Sequence, residues 1–341
     1  MSSALKVQAK HLAAGLLFHV GGVSLLRSWR RHRGVILAYH RVLPAGSGDL
    51  TFTQPGMYVT QETFEAQVGY LARHYHVVGL GDLLVRPLDR TCAITFDDGW
   101  LDNYEYAFPI LKKYGVPATI FIATGQIGTG RWPWPDRICY YIHNAPAGRF
   151  VEALASALPS NVTKHDKGGG FPADRQLAAE LVLQRLKGLE HALLERVVSR
   201  LDRDFAELND TLHRRRPWMT WDEVDEMSDA GIAFGSHTRS HVILTRVPKA
   251  EARVEIQDSR QELSARLDRP VTSFCYPNGA YDPELVRMVG EAGYSLAVTT
   301  RRGLIGRSAD PMTLNRLMIH NDMTDTVPMF ACALSDAVPF F

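Results

Sequence analysis

Cysteine is scarce in this chain: 341 residues contain only four. Cys92, Cys139, Cys275 and Cys332 are far apart and follow no CxxC or zinc-finger spacing. That excludes a disulfide-stapled scaffold and a thiolate-ligated structural metal. Cys92 and Cys275 fall in apolar segments that read as strands, where buried reduced thiols belong, and free thiols favour a reducing compartment. No charge sign dominates. Thirty-eight Lys and Arg against 37 Asp and Glu leave a formal charge of +1, so no global field points to nucleic acid as a partner. No GxGxxG opens the first helix, which argues against a dinucleotide fold, and no internal repeat or low-complexity tract interrupts the chain. No apolar run is long enough to span a bilayer, which takes about 20 residues. The stretch over 11–26 comes nearest, but it holds His19 and three glycines.

What remains is an ordinary globular composition, 45% apolar and 22% charged, in a chain long enough to bury a sizeable core. The N-terminal segment, 1–33, reads as a separate apolar or amphipathic element. Lys6 and Lys10 precede the apolar stretch, as in a signal peptide, but no small-x-small site follows. A basic cluster does: Arg27, Arg30, Arg31 and Arg33. Leu12, Leu16, Leu17, Val20, Val23 and Leu26 recur at helical spacing. Such a helix can lie in an anionic membrane surface or pack on the domain. The expectation is peripheral membrane association without a span, with the protein in the cytoplasm or on the cytoplasmic face of the inner membrane and an exported form disfavoured.

From residue 34 onward strand and helix patterns alternate. Strands are predicted at 35–39, 91–96, 117–123, 232–236, 271–276, 294–299 and 313–319. Helices are predicted at 61–75, 104–114, 220–230, 246–267 and 282–293. Thr220 and Glu223 form a capping-box start. Residues 125–217 break the rhythm with Trp132-Pro133-Trp134-Pro135, a Gly168-Gly169-Gly170 loop and a helical stretch over 174–206. They read as an insertion, either a lid or a brace. About seven alternations predict a deformed (β/α)7-type barrel over 34–341 with a helical insertion. The polar residues decide for a barrel over an open sheet. Asp97, Asp98, His237, Asn278 and His320 all follow a strand's C-terminal end, and only a barrel gathers so many strand ends on one face.

Three motifs carry chemistry. Adjacent carboxylates, Asp97 and Asp98 in TFDDG, repel unless a cation offsets them; alone, such a pair is common in loops. His237 and His241, at i and i+4, match one helical turn and can reach one cation. With a carboxylate they make a two-His, one-carboxylate set with open positions, as a catalytic metal needs. Tyr276-Pro277-Asn278-Gly279 is a turn that can offer a backbone N–H to an oxyanion, or simply a turn.

Together, TFDDG, HTRSH and the opening YHRV at 39–42 resemble the polysaccharide deacetylase family, the NodB-homology or carbohydrate esterase family 4, over roughly 34–124 and 217–320. The resemblance implies a carbohydrate N-deacetylase that hydrolyses the acetamido group of an amino sugar in a polysaccharide or lipid-linked saccharide. It implies that Asp98, His237 and His241 bind Zn2+ or another divalent metal, that Asp97 is the general base, that the Asn278 N–H holds the oxyanion, and that His320 protonates the leaving amine. His40 and Tyr276 are expected to contact substrate, and Trp132 and Trp134 to stack on sugar rings. Two departures stand out. Cys275 replaces the arginine of the usual third motif, so Arg316 is the candidate to supply that charge. No DxxDW fourth motif is present to tune His320. The alternatives are a deformylase or other amidase on a lipid-linked amino sugar, and an inactive glycan-binding homologue.

Overall fold

A computed structural model describes residues 3–29, 32–159 and 171–335. Arg30, Arg31 and the Gly168-Gly169-Gly170 loop lie outside the described residues. The chain divides into two compact units. One comprises 1–45, 55–128 and 218–341, and the other 46–54 and 129–217.

The first unit is the barrel. Its strands in chain order are β1 (Val35–Tyr39), β2 (Arg41–Leu43), β3 (Tyr58–Thr60), β4 (His76–Val77), β5 (Thr91–Asp98), β6 (Thr119–Ile122), β7 (Ala233–Ser236), β8 (Ser273–Cys275), β9 (Leu296–Arg302) and β10 (Leu314–Met318). β1 pairs in parallel with both β5 and β10, which closes β1-β5-β6-β7-β8-β9-β10 into a seven-stranded barrel. Leu37 sits opposite Ile94 on one side and Leu317 on the other. β4 adds two residues beside the start of β5, and β2 and β3 form a separate parallel pair that the sequence did not signal. β1 and β5 are buried along their whole length. A barrel strand meets packed side chains within and helices outside, so its sequence is a continuous apolar run and not an alternation. Tyr39, Phe64 and Phe96 form an aromatic cluster with centroids 5.2 to 5.6 Å apart, a spacing that adds edge-on attraction to burial.

The helices start and stop where their caps dictate. Thr60 accepts from the N–H of Thr63 to open Gln61–His74, and Thr220 with Glu223 closes a full capping box on Trp221–Asp229. Gly115, at φ 61°, ends Phe108–Tyr114.

The N-terminal segment belongs to the barrel unit and is not a separate element. It is a hairpin of α1 (Ser3–His19) and α2 (Gly22–Trp29). Gly21 turns at φ 79°, and a Cβ on Gly22 would lie 2.3 Å from Leu17 Cδ1. The expected apolar stripe is split. Ala14 and Val23 are buried in the barrel's core, with Leu17 and Phe18 packed against it, while Leu12, Leu16 and Val20 face solvent.

The second unit is helical. The stretch expected over 174–206 is two helices, Arg175–Lys187 and His191–Asp204. Residues 46–54 join this unit although the sequence assigned them to the barrel. Asp49 pairs with Arg215, and the Phe52 ring meets Trp132 and Tyr140. Such contacts cross long stretches of chain and leave no local pattern.

Candidate active site

The sequence-predicted residues meet at strand ends. β5 delivers Asp97 and Asp98, and β7 delivers His237. Asp98 is in the left-handed region at φ 79°, followed by Gly99 at φ 89°. Thr238 (66°), His241 (59°) and Asn278 (56°) are also left-handed. Non-glycine residues there cost free energy, and such strain gathers where function over-determines the backbone. One expectation is corrected here: residues 237–241 are not a helical turn. They form a loop in which two left-handed residues, Thr238 and His241, bring the histidine rings to 4.7 Å. Glu255, from the helix Lys249–Arg266, holds this loop by accepting from the N–H groups of Arg239 and Ser240 at 2.9 and 2.8 Å.

Asp98 Oδ1 lies 3.5 Å from His237 Nε2 and 3.2 Å from His241 Nε2, and it is buried with no hydrogen bond. Its other oxygen accepts from Trp100 Nε1 at 3.0 Å. Trp100 in turn is fixed by Trp218, 4.7 Å away, and by Arg41, whose guanidinium lies 4.4 Å over the indole and donates to Asp102 at 2.9 Å. His237 Nδ1 is 2.8 Å from the carbonyl of Cys275. A carbonyl can only accept, so Nδ1 carries the proton and Nε2 keeps a lone pair. Burial, and after it the charge of His241, push the His237 pKa down to about 4. Burial works to raise the Asp98 pKa, but the charges of His241, His40 and His237 outweigh it and hold the carboxyl well below its usual range. An orphaned buried carboxylate oxygen facing two imidazole nitrogens fits a divalent cation.

A second cluster, Asp97, His237 and Cys275, is also compact enough for a metal. It is the poorer site. Burial pushes the Cys275 thiol well up, whereas a metal needs the thiolate. Asp97 is already committed. Arg316, buried on β10, donates to both its oxygens, Nη1 to Oδ1 at 2.7 Å and Nη2 to Oδ2 at 2.6 Å. Arg316 is itself held by the Thr299 carbonyl at 2.9 Å and Thr95 Oγ1 at 3.1 Å. Its Nη2 is 3.2 Å from Cys275 Sγ. The small side chain at 275 leaves room for a guanidinium arriving from another strand. Burial acts to raise the Asp97 pKa, but Arg316 outweighs it and keeps Asp97 ionised. His40 Nε2 approaches Asp97 Oδ2 at 3.9 Å, so His40 lies with the carboxylates.

Other expectations are placed or corrected. Asn278 is exposed, in a turn whose bonds use the N–H of Gly279 and Ala280 and not its own. Tyr276 is fully buried, donates to the Met312 carbonyl at 3.2 Å and packs on Phe274 and Tyr281. It is a core residue, not a substrate contact. Trp132 is buried too. Its indole donates to the Arg215 carbonyl at 3.0 Å and its ring meets Phe52, so its faces serve packing within the helical unit. Trp134 opens the helix Trp134–Asn144 and is half-buried. His320 follows β10, and its Nδ1 pairs with Asp322. A carboxylate two residues on thus stands beside His320, for which the sequence offered no fourth-motif partner. Sequence reasoning missed Asp322, Trp100 and Glu255; only Trp100, directly after TFDDG, stood where a motif could have flagged it.

The polysaccharide deacetylase family model matches residues 85–164 and 191–297, more than half of the chain. The chain belongs to the polysaccharide deacetylase family. The match takes in Asp97, Asp98, His237, His241 and Asn278 and ends before Arg316 and His320. Among curated relatives, YxkH of Bacillus subtilis (strain 168), a polysaccharide deacetylase by name, is 22% identical over 239 residues. That stretch is 70% of this chain and 55% of YxkH. The poly-beta-1,6-N-acetyl-D-glucosamine N-deacetylase of Staphylococcus aureus (strain N315) is 41% identical over 76 residues, 20% of this chain and 26% of that protein. The chain therefore spans about half the length of the first of these deacetylases and a quarter of the second. Among solved structures, the Streptococcus pyogenes deacetylase PplD superposes with a TM-score of 0.57 at 18% identity, covering 89% of this chain and 98% of PplD. IcaB from Ammonifex degensii gives 0.54 at 19%, covering 88% and 97%. At these identities the likeness establishes the shared barrel fold.

Proposed function

We propose that this polysaccharide deacetylase homologue is a divalent-metal-dependent N-deacetylase that removes the acetyl group from an N-acetylglucosamine-type residue in a polysaccharide or lipid-linked saccharide. The observation that carries the reading is the buried Asp98 Oδ1, without a hydrogen bond and facing His237 and His241, beside an ionised Asp97. The matched Staphylococcus aureus enzyme, named for a poly-N-acetylglucosamine substrate, supports the choice of sugar.

Asp98, His237 and His241 would hold the cation, which when bound supplies Lewis-acid polarisation and lowers the pKa of water. The chain's own groups account for the rest. Asp97, kept anionic by Arg316, accepts the proton of the attacking water. A carboxylate with a lowered pKa is a weak base, so it works only on a water that is itself acidified. The Asn278 N–H meets the oxygen that becomes negative as the amide carbon turns tetrahedral. His320, oriented through Nδ1 by Asp322, gives the Nε2 proton to the departing amine.

The test is metal analysis together with acetate and formate release from defined N-acetylated and N-formylated glucosamine oligosaccharides, with Asp97→Asn as control. Metal-dependent acetate release that Asp97→Asn abolishes supports the reading. Formate release alone would make the protein a deformylase, and glycan binding without turnover an inactive homologue.

A further inference from the structure

We infer that the α1–α2 hairpin carries a docking face for an anionic phospholipid surface. This goes beyond the proposed deacetylation and stands apart from it. Gly21 and Gly22 fold the two helices into a hairpin, and each helix turns one side to the protein. Ala14 on α1 and Val23 on α2 are buried in the same core cluster. Cys332 Sγ meets the Ala14 carbonyl at 3.9 Å and His11 pairs with Asp325 at 3.0 Å, which anchors that side of α1.

The outer sides are apolar where solvent-facing helices are normally polar. Leu12 and Leu16 lie two residues either side of Ala14, and Leu25 lies two residues after Val23. Two residues advance about 200° around a helix, so these side chains point away from the body. Leu12, Leu16, Val20, Leu25 and Trp29 are 67% to 82% exposed. Five of the eleven exposed large hydrophobic side chains among the described residues thus fall in this one hairpin, between residues 12 and 29. Scattered singly they would mean little; gathered on one element they mark an interaction face.

Charge selects the occupant. Before β1 the sequence carries Lys6, Lys10, Arg27, Arg30, Arg31 and Arg33 and no Asp or Glu. An apolar ridge in a wholly basic segment matches a bilayer with anionic headgroups, which takes apolar side chains to a depth of about 5–10 Å and attracts each nearby cation. Trp29, with an apolar body and a polar N–H, suits the headgroup boundary. The mode is peripheral, because no helix among the described residues is long and apolar enough to cross a membrane.

The experiment is co-sedimentation of the full chain with large unilamellar vesicles of phosphatidylcholine alone or mixed with phosphatidylglycerol. The variants are a Leu25→Asp/Trp29→Asp pair and, as control, Val254→Asp, an exposed apolar site elsewhere on the barrel. Wild type and Val254→Asp should bind the anionic vesicles, more weakly at high salt. The double variant should bind at least about tenfold more weakly, since burying one such side chain alone is worth that much. Trp29 emission should shift to the blue on adding anionic vesicles, and Trp29→Phe should abolish that shift. Equal binding by all variants, equal binding to neutral vesicles, or a blue shift that survives in Trp29→Phe would overturn the proposal. So would a dimer that the double variant dissociates without any vesicle binding, since the face would then take a second copy of this chain. None of these readouts depends on deacetylase activity.

Discussion

Asp97 and Asp98 are chain neighbours with opposite surroundings, and the difference supports the separate roles proposed for them. Asp97 gives both oxygens to Arg316, whereas Asp98 gives one to Trp100 and turns the other, without a hydrogen bond, toward His237 and His241. Asp97→Asn should therefore retain metal by elemental analysis and lose activity by about 10²–10⁴-fold, the usual contribution of a general base; unchanged turnover would remove Asp97 from that role. His237→Ala removes a nitrogen from the cation set, so bound metal and activity should both fall while circular dichroism stays native. Retained metal would take His237 out of the cation set and disfavour both candidate clusters, since each contains it. Trp100→Phe deletes a single N–H and keeps the aromatic packing. Partners that orient metal ligands are typically worth 10–100-fold in affinity, so a calorimetric titration of the chelated protein should show that loss. An unchanged Kd would reduce Trp100 to packing.

At the scale of elements, the site is built by loops that no strand or helix period describes. Gly279, at φ 65° after β8, is the sharpest case: a Cβ there would lie 2.0 Å from Thr300 Oγ1. Gly279→Ala should cost about 1–3 kcal/mol in denaturant unfolding through strain and clash; a stability within error of wild type would mean the turn relaxes freely. The sequence made the barrel legible because buried parallel strands read as apolar runs ending in polar residues, and because Thr220 with Glu223 announces a helix start. It made the candidate metal set legible by residue type, but it misread the His237 to His241 spacing as helical, since left-handed Thr238 and His241 have no marker of their own. Arg316 was legible only by what Cys275 lacked. Asp322 was missed because its value lies in facing His320 and not in a motif. Tyr276 and Trp132 were misplaced because a flat aromatic face suits a sugar and a core equally, and burial alone tells them apart.

For the whole molecule, the buried ionisable groups couple stability to pH. His237 in the chelated protein has its pKa pushed from the ordinary 6.5 to about 4. Below pH 6.5 the unfolded chain binds a proton that the native imidazole refuses until about pH 4, so stability must fall as pH drops through that window. One such group accounts for about 3 kcal/mol. Asp97 and Asp98 act in the same direction, because their lowered values give stability above the ordinary carboxylate range that is lost as pH falls toward the folded values. Metal binding steepens the dependence. A cation at 1,000 times its Kd adds about 4 kcal/mol, and it requires neutral histidines. Calorimetric melting of metal-loaded and chelated protein from pH 7.5 to 4.5 should show both melting temperatures falling and the gap between them closing. A chelated protein equally stable at pH 6.5 and 4.5 would mean that His237 is protonated in the native state. Because two compact units unfold in one chain, two transitions are expected, and only the barrel's should move with metal. A metal-sensitive transition that is also lost in Trp132→Ala, a packing change confined to the helical unit, would show instead that the two units unfold as one.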